Sequence, residues 1–318
     1  MDQRGAGPAT IHRRSVVAGL AAAGLFAPAV VAQTEPGAEG LSVNSLTRMA
    51  ANVRVNGRRA VFVLDTGAER TAISADLAQS LELPAGPEMI VHGVTAARAV
   101  PSVILPRLLF GGRSFSGIVA PVFDRSSLAA DGLVGLDVLS RFRLEMDLVR
   151  RRVLIHSSGD GVSTIVPSTR LVISDRVRSG RFGQLILLNV LVQGRVVEAF
   201  VDSGAQYSIG NPALLAAVNR STEAGLIDVF GVTGQTLRAR LGRVDDLRID
   251  GKDLGATPLL FADLHAFEAL GLNDRPAILL GADILYRFQR VTLDYGRGRV
   301  AFGRVRPAFA PPPARGQA

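Results

Sequence analysis

The chain has 318 residues, of which 47% are hydrophobic and 20% charged, so it is long enough for two lobes with buried cores. The net charge of +8 comes from scattered arginines, and aromatic residues make up only 5%, which argues against nucleic-acid binding. Cysteine is absent, which excludes disulfides, thiolate nucleophiles, zinc-thiolate sites and lipid attachment through cysteine.

The N-terminus has the layout of an export signal over residues 1–32. Arg13 and Arg14 precede a weakly hydrophobic, Gly/Ala-rich run over residues 16–26, and small residues follow up to Ala32. The adjacent arginines resemble a twin-arginine signal, with a Sec-type signal as the alternative. We therefore expect a periplasmic or secreted protein without stable membrane insertion after signal removal. An uncleaved membrane anchor is the other interpretation of this segment.

The first half of the chain begins with a predicted β-hairpin and an acidic loop. Residues 54–64 form two strand-like runs around Asn56-Gly57, a pair typical of tight hairpin turns. The loop Asp65-Thr66-Gly67-Ala68 follows directly, and a short helix is predicted after Ser74. Further on, the segment His92-Gly93-Val94-Thr95 is a candidate for the tip of a second hairpin.

The first half ends with a buried strand, a short helix and a closing hairpin. The strand leads to Gly135, and the helix follows Asp137, which we expect to act as its N-cap. The closing hairpin covers residues 146–155. These features place a first lobe at residues 42–156, and a turn-rich linker follows at residues 157–164.

The second half repeats the first, and this defines a second lobe at residues 165–303. A hairpin with its turn at Gln193-Gly194 leads into the loop Asp202-Ser203-Gly204-Ala205, and Phe230-Gly231-Val232-Thr233 matches the earlier hairpin tip. A buried strand then ends at Gly281, and Asp283 is expected to cap a short helix. Two further short helices are predicted around residues 212–218 and 264–270. The proline-rich tail at residues 304–318 is expected to be disordered.

Two copies of Asp-Thr/Ser-Gly-Ala, each after an apolar strand and each followed by a hydrophobic-hydrophobic-Gly strand, resemble the pepsin/retropepsin clan of aspartic proteases. The likeness is strongest to bacterial retropepsin-like members, because a small-residue segment, residues 71–74, soon follows the first motif. The resemblance implies an all-β, bilobal fold with short helices and two tandem repeats in a pseudo-twofold arrangement. It also implies a catalytic pair, Asp65 and Asp202, which acts on a peptide or protein substrate without a cofactor.

The chemistry of two adjacent carboxylates fits that implication. Amide hydrolysis without a metal or covalent nucleophile needs a base for water and an acid for the carbonyl oxygen. Asp65 and Asp202, sharing one proton, could do both, with no fixed assignment of the two roles. Gly67 and Gly204 suit a close approach of backbone.

Further roles come from the resemblance alone. It implies that the hydroxyl groups of Thr66 and Ser203 reach across to the opposite loop, and that Ala68 and Ala205 fit beneath the loops. Gly135 and Gly281 would let a strand cross behind each acidic loop, and the two Gly-Val-Thr hairpins would be flaps over the substrate. A single chain with both half-sites implies a monomer that mimics a dimer; a swapped dimer is the alternative.

Other chemistries find little support. The histidines of the lobes, His92, His156 and His265, lie far apart in sequence without ligand-like spacing, so no metal site is predicted. The rival from another functional class is a catalytically inactive peptide-binding protein that retains the fold. The sequence favours the enzyme, because both carboxylates, both hydroxyl groups and both glycines are present.

Overall fold

The structure is a computed structural model that describes residues 38–43, 48–157, 185–218 and 225–307. The predicted export signal at residues 1–32 lies outside the described residues, as do nearly all of the linker and residues 308–318. Among the described residues, no helix is long and apolar enough to span a membrane.

The described chain is mostly β, which confirms the predicted fold class. The strands of the first half are β1 Ala38–Val43, β2 Met49–Val55, β3 Arg58–Leu64, β4 Ala72–Ser74, β5 Met89–His92, β6 Ala97–Val100, β7 Ser102–Leu105, β8 Leu108–Phe110, β9 Arg113–Phe115, β10 Ile118–Phe123, β11 Gly132–Val134, β12 Phe142–Asp147 and β13 Arg152–Ser157. Those of the second half are β14 Leu187–Val192, β15 Arg195–Val201, β16 Ile209–Gly210, β17 Gly225–Phe230, β18 Thr236–Val244, β19 Leu247–Ile249, β20 Lys252–Asp253, β21 Thr257–Phe261, β22 Ala277–Leu280, β23 Arg290–Asp294 and β24 Arg299–Phe302.

All helices of the described chain are short. They are α1 Ala75–Ser80, α2 Arg125–Leu128, α3 Leu136–Leu139, α4 Pro212–Ala217, α5 His265–Ala269 and α6 Ala282–Leu285. Five of them match predicted helices, whereas α2 was not predicted, because its four residues carry no helical periodicity that a sequence pattern could reveal.

Both halves open with the predicted hairpin. The turns at Asn56-Gly57 and Gln193-Gly194 have positive φ at both positions, which joins β2 to β3 and β14 to β15 in the twist that two-residue hairpins require. The second strand of each hairpin therefore ends at the residue just before an acidic loop, Leu64 in the first half and Val201 in the second.

A parallel strand crosses behind each hairpin. In the first half β11 pairs parallel with β3 and antiparallel with β4; in the second half β22 pairs in the same way with β15 and β16. The two acidic loops consequently emerge at equivalent points of two equivalent sheets. This internal repeat places the candidate site between the halves.

The closing hairpins of the two halves join into one sheet, which sequence analysis did not predict. Strand β12 pairs antiparallel with β23, and the shared sheet runs in the order β24-β23-β12-β13-β1-β2. Residues from both halves accordingly contribute to one extended hydrophobic core, including the fully buried Phe62, Phe267 and Phe288. Burial of one such side chain stabilises the fold by roughly 1.5–3 kcal/mol.

Residues 304–307 are structured, contrary to the prediction. Val305 forms a β-bridge with Phe288, and the Arg306 amide donates to the Arg287 carbonyl at 2.8 Å. Residues 304–307 are therefore part of the packed lobe, because their backbone continues the pairing that β24 begins. The prediction of a disordered tail from residue 304 is wrong for these four residues.

Candidate active site

The candidate active site is built from two acidic loops with the same internal geometry. The Asp65 carboxylate accepts hydrogen bonds from the Gly67 and Ala68 amides at 3.0 and 2.9 Å, and this fixes its orientation at the end of β3. The second loop repeats both contacts, each at 3.0 Å, with the corresponding residues Asp202, Gly204 and Ala205.

Each carboxylate lies against the glycine of the opposite loop. A Cβ atom added to Gly67 would lie 2.5 Å from Asp202 Cγ, and one added to Gly204 would overlap the Asp65 carboxyl group. Only glycine leaves room for this approach. The structure thus brings Asp65 and Asp202, 137 positions apart in the chain, to one point between the lobes.

Four hydrogen bonds between side chain and backbone interlock the loops. Thr66 Oγ1 donates to the Val201 carbonyl at 2.8 Å and accepts from the Ser203 amide at 3.0 Å. Ser203 Oγ donates to the Leu64 carbonyl at 2.6 Å and accepts from the Thr66 amide at 3.2 Å. Both side chains are buried, so each satisfies backbone groups that water cannot reach.

Burial dominates the electrostatics of the two carboxyl groups. Desolvation raises the pKa of Asp65, while the nearby Arg48 guanidinium opposes this rise. Desolvation, and then the charge of Asp65, raise the pKa of Asp202 to about 8. Two like charges this close cannot both persist in a dry site, so the pair holds one proton near neutral pH.

Two buried residues beside the loops were missed by sequence analysis. Arg48, 8% exposed, donates from Nη1 to the Gly204 carbonyl at 3.4 Å and from Nη2 to the Leu128 carbonyl. Tyr295 is the second, and its hydroxyl group bonds the Thr66 side chain; burial, and then the charges of Asp65 and Asp202, raise its pKa. The only signal for Arg48 in the sequence is its position directly before an apolar strand.

The crossing-strand glycines lie where close packing requires them. A Cβ on Gly135 would meet the backbone of Arg70, and one on Gly281 would meet the backbone of Tyr207. Each glycine amide also donates to the hydroxyl group of a residue just after the acidic loop, Thr71 at 3.1 Å or Ser208 at 2.8 Å.

The prediction that Asp137 and Asp283 are helix N-caps is wrong. The cap positions are the glycines that precede α3 and α6, and each aspartate lies inside its helix. Asp137 instead accepts from the Thr71 hydroxyl group at 2.7 Å, and Asp283 accepts from the Ser208 hydroxyl group at 2.6 Å. The two carboxylates therefore hold the chain that leaves each acidic loop.

Both candidate flaps are β-hairpins, and their tips touch. The first is β5–β6 and the second is β17–β18. Thr95 Oγ1 lies 3.4 Å from Thr233 Oγ1, and the Arg98 guanidinium donates to the Thr233 carbonyl at 3.2 Å. Gly93 and Gly231 each pack against the threonine of the other tip, whereas Phe230 remains 77% exposed. The remaining candidate flap residues, Val94 and Val232, are partly buried.

One flap also contacts the second lobe through a histidine pair. His92 Nδ1 lies 3.0 Å from His265 Nε2, and the two rings stack at a centroid distance of 5.3 Å. Beside them lies a cavity of about 40 Å³, mostly apolar, that reaches Gly67 and Asp202. Sequence spacing could not reveal this pair, because 173 residues separate its members. Within the described residues, no group of three or more His, Cys, Asp or Glu side chains could hold a metal ion.

Comparison with known proteins agrees with this geometry. A sequence model of a protein family described as aspartyl protease matches residues 51–138 and, a second time, residues 188–284. Each match covers one acidic loop, one candidate flap and one crossing strand. A search of curated proteins finds no significant match to the chain.

Proposed function

We propose that this chain, which belongs to the aspartyl protease family, is an endopeptidase that hydrolyses peptide bonds between Asp65 and Asp202. One observation carries the proposal: each half of the chain supplies one carboxylate, which is buried for Asp202 and partly buried for Asp65, and each carboxylate lies against the acidic loop of the other half. That arrangement serves a reaction that needs a base and an acid within hydrogen-bond reach of one water molecule.

The proposed mechanism uses the single proton of the pair. The ionised carboxyl group removes a proton from water, whose oxygen attacks the peptide carbonyl carbon. The protonated carboxyl group gives its proton to the carbonyl oxygen, which yields a neutral tetrahedral intermediate. The proton taken from water then passes to the amide nitrogen as the C–N bond breaks, and a hydroxyl proton of the intermediate returns to the other carboxyl group, which restores the pair. The amide hydrogen bonds to Asp65 and Asp202 keep both groups oriented throughout.

The proposed substrate is an extended peptide beneath the two flaps. A strand-like peptide can form main-chain hydrogen bonds with β5–β6 and β17–β18, while alternate side chains enter pockets below. The apolar cavity beside Asp202 is suited to a hydrophobic side chain. The flap tips, which the Thr95–Thr233 and Arg98–Thr233 contacts join, must separate to admit the peptide.

We also propose that the enzyme acts as a monomer outside the cytoplasm. Both half-sites come from one chain, so no second copy is needed to complete the pair. Export rests on the N-terminal sequence pattern alone. Solution mass, together with the N-terminal residue of the protein recovered from cells, tests both statements. A dimer with exchanged halves or an intact N-terminus in the cytoplasm would contradict them.

The decisive experiment is peptide-library cleavage by Asp65→Asn and Asp202→Asn variants. We expect either change to abolish cleavage while the circular dichroism spectrum stays that of the folded protein. Asp245→Asn is the matched control, because its side chain is 59% exposed on the surface. Cleavage retained in both site variants would refute the proposal. Peptide binding without cleavage by the unmodified protein would instead favour the inactive binding protein.

A further inference from the structure

The two halves differ at one buried position beside the carboxylates. Arg48 and Leu185 each lie 17 residues before the aspartate of their own half, so the internal repeat makes them equivalent. One carries a charge and the other is purely apolar. The dyad is therefore flanked by unlike side chains at related points of a pseudo-twofold site.

Arg48 approaches the dyad from the side of Asp65. Its guanidinium donates to the carbonyl of Gly204, the residue whose Cα faces the Asp65 carboxyl group. A second donation, to the Leu128 carbonyl on α2, holds the guanidinium in place. The side chain is 8% exposed, so water screens its charge only weakly.

Leu185 occupies the corresponding place on the side of Asp202. It lines the apolar cavity that reaches Asp202 and Gly67, and it is 5% exposed. An apolar surface neither solvates nor hydrogen-bonds a charged group, so it disfavours the ionised form of a carboxyl group. A nearby cation has the opposite effect on the carboxyl group that it faces.

We propose that Arg48 is a positioning residue that assigns the shared proton, so that Asp65 is the ionised base and Asp202 the protonated acid. The assignment removes the equivalence that two identical carboxyl groups would otherwise have. The consequence of this assignment for catalysis rests on the proposed function. In that reaction Asp65 takes the proton from water, and Asp202 gives its proton to the peptide carbonyl oxygen.

The charged and titratable groups around the pair support the assignment of the proton to Asp202. Burial raises the pKa of both carboxyl groups. The charge of Arg48 opposes this rise at Asp65, whereas the charge of Asp65 adds to it at Asp202. Burial lowers the pKa of Arg48, but arginine titrates so far above neutrality that the guanidinium stays charged. Arg48 interacts with both carboxyl groups, and more strongly with Asp65 than with Asp202. Burial raises the pKa of Tyr295, so this side chain stays uncharged near neutral pH and adds no charge beside either carboxyl group.

The test measures each carboxyl group alone, by carbon-13 NMR titration of labelled aspartate. Asp65 is observed in an Asp202→Asn background and Asp202 in an Asp65→Asn background, each with and without Arg48→Leu. We expect Arg48→Leu to raise the pKa of Asp65 by about 1–3 units and that of Asp202 by less. Arg48→Lys, which keeps the charge, should leave both near their starting values. Arg59→Leu, at an exposed position of β3, is the control.

An equal or larger effect on Asp202, or no effect on Asp65, would overturn the inference. If Arg48→Leu does not fold, Arg48→Gln replaces it, because glutamine lacks the charge but keeps an amide donor. The pKa of Asp65 should then be higher with Arg48→Gln than with Arg48→Lys, and an equal or larger difference at Asp202 would overturn the inference. These readouts need no activity. An unmodified protein that cleaves no peptide would refute the proposed function, whereas the titrations judge the role of Arg48 separately.

Discussion

The interlock between the acidic loops can be tested by Thr66→Val. Valine has nearly the shape of threonine, so the change removes a hydroxyl group and little else. That hydroxyl group serves two buried backbone groups of the opposite loop, the Val201 carbonyl at 2.8 Å and the Ser203 amide at 3.0 Å. Water cannot readily replace the lost partner of either group, because Val201 and Ser203 are both buried.

The size of the effect follows from those two contacts. A buried polar group left without its partner costs about 1–3 kcal/mol, so Thr66→Val should lower the free energy of unfolding by about 2–6 kcal/mol. A whole domain has a net stability of only about 5–15 kcal/mol. Ser203→Ala should cost a similar amount, and the double variant less than the sum, since both hydroxyl groups belong to one network.

Urea unfolding at fixed pH gives the free energies directly. Thr236→Val is the matched control, because Thr236 is exposed on β18 and its replacement should change stability little. Peptide cleavage by Thr66→Val should also fall, since the loops that hold the carboxylates are no longer tied together. A Thr66→Val protein as stable as the control would refute the role given to the interlock.

Three further changes have defined outcomes. Gly67→Ala should abolish peptide cleavage, because its Cβ would lie 2.5 Å from Asp202 Cγ; activity near that of the unmodified protein would contradict the close approach. The raised pKa of Asp202 means that the folded state keeps a proton that the unfolded chain loses, so this carboxyl group should cost stability as pH rises from about 4 to about 8. Asp202→Asn should therefore gain stability over the unmodified protein across that range in urea titrations, and a constant difference would argue otherwise. Asn211→Ala should lower the free energy of unfolding by at least about 3 kcal/mol, because the buried amide group of Asn211 caps α4 and donates to the Leu272 and Arg275 carbonyls. A smaller loss in urea unfolding would show that water replaces these hydrogen bonds.

The sequence could predict the parts of the fold that depend on residues close together in the chain. Alternating strand residues around Asn56-Gly57 specify a hairpin, and the internal repeat turns two weak acidic motifs into a related pair. The same repeat locates Gly135 and Gly281, because a missing side chain at equivalent points signals close backbone packing.

The parts that it could not predict depend on contacts between distant segments. Nothing local to β12 or β23 shows that they pair with each other. Arg48 looks like any other arginine of this arginine-rich chain until folding buries it beside the loops. Asp137 has the sequence signature of a helix cap, but the cap position is Gly135, and the Asp137 carboxylate accepts from the amide and hydroxyl groups of Thr71.

The sheet shared by the closing hairpins has a consequence for how the chain folds. Strand β12 is complete once residue 147 has been synthesised, but its partner β23 begins only at residue 290. Until then β12 presents an open edge, which is able to pair with other strands. Contacts between segments so distant in sequence form slowly. We therefore expect the second half of the chain to protect the first from aggregation, and a fragment that ends at residue 157 to associate with itself through that edge.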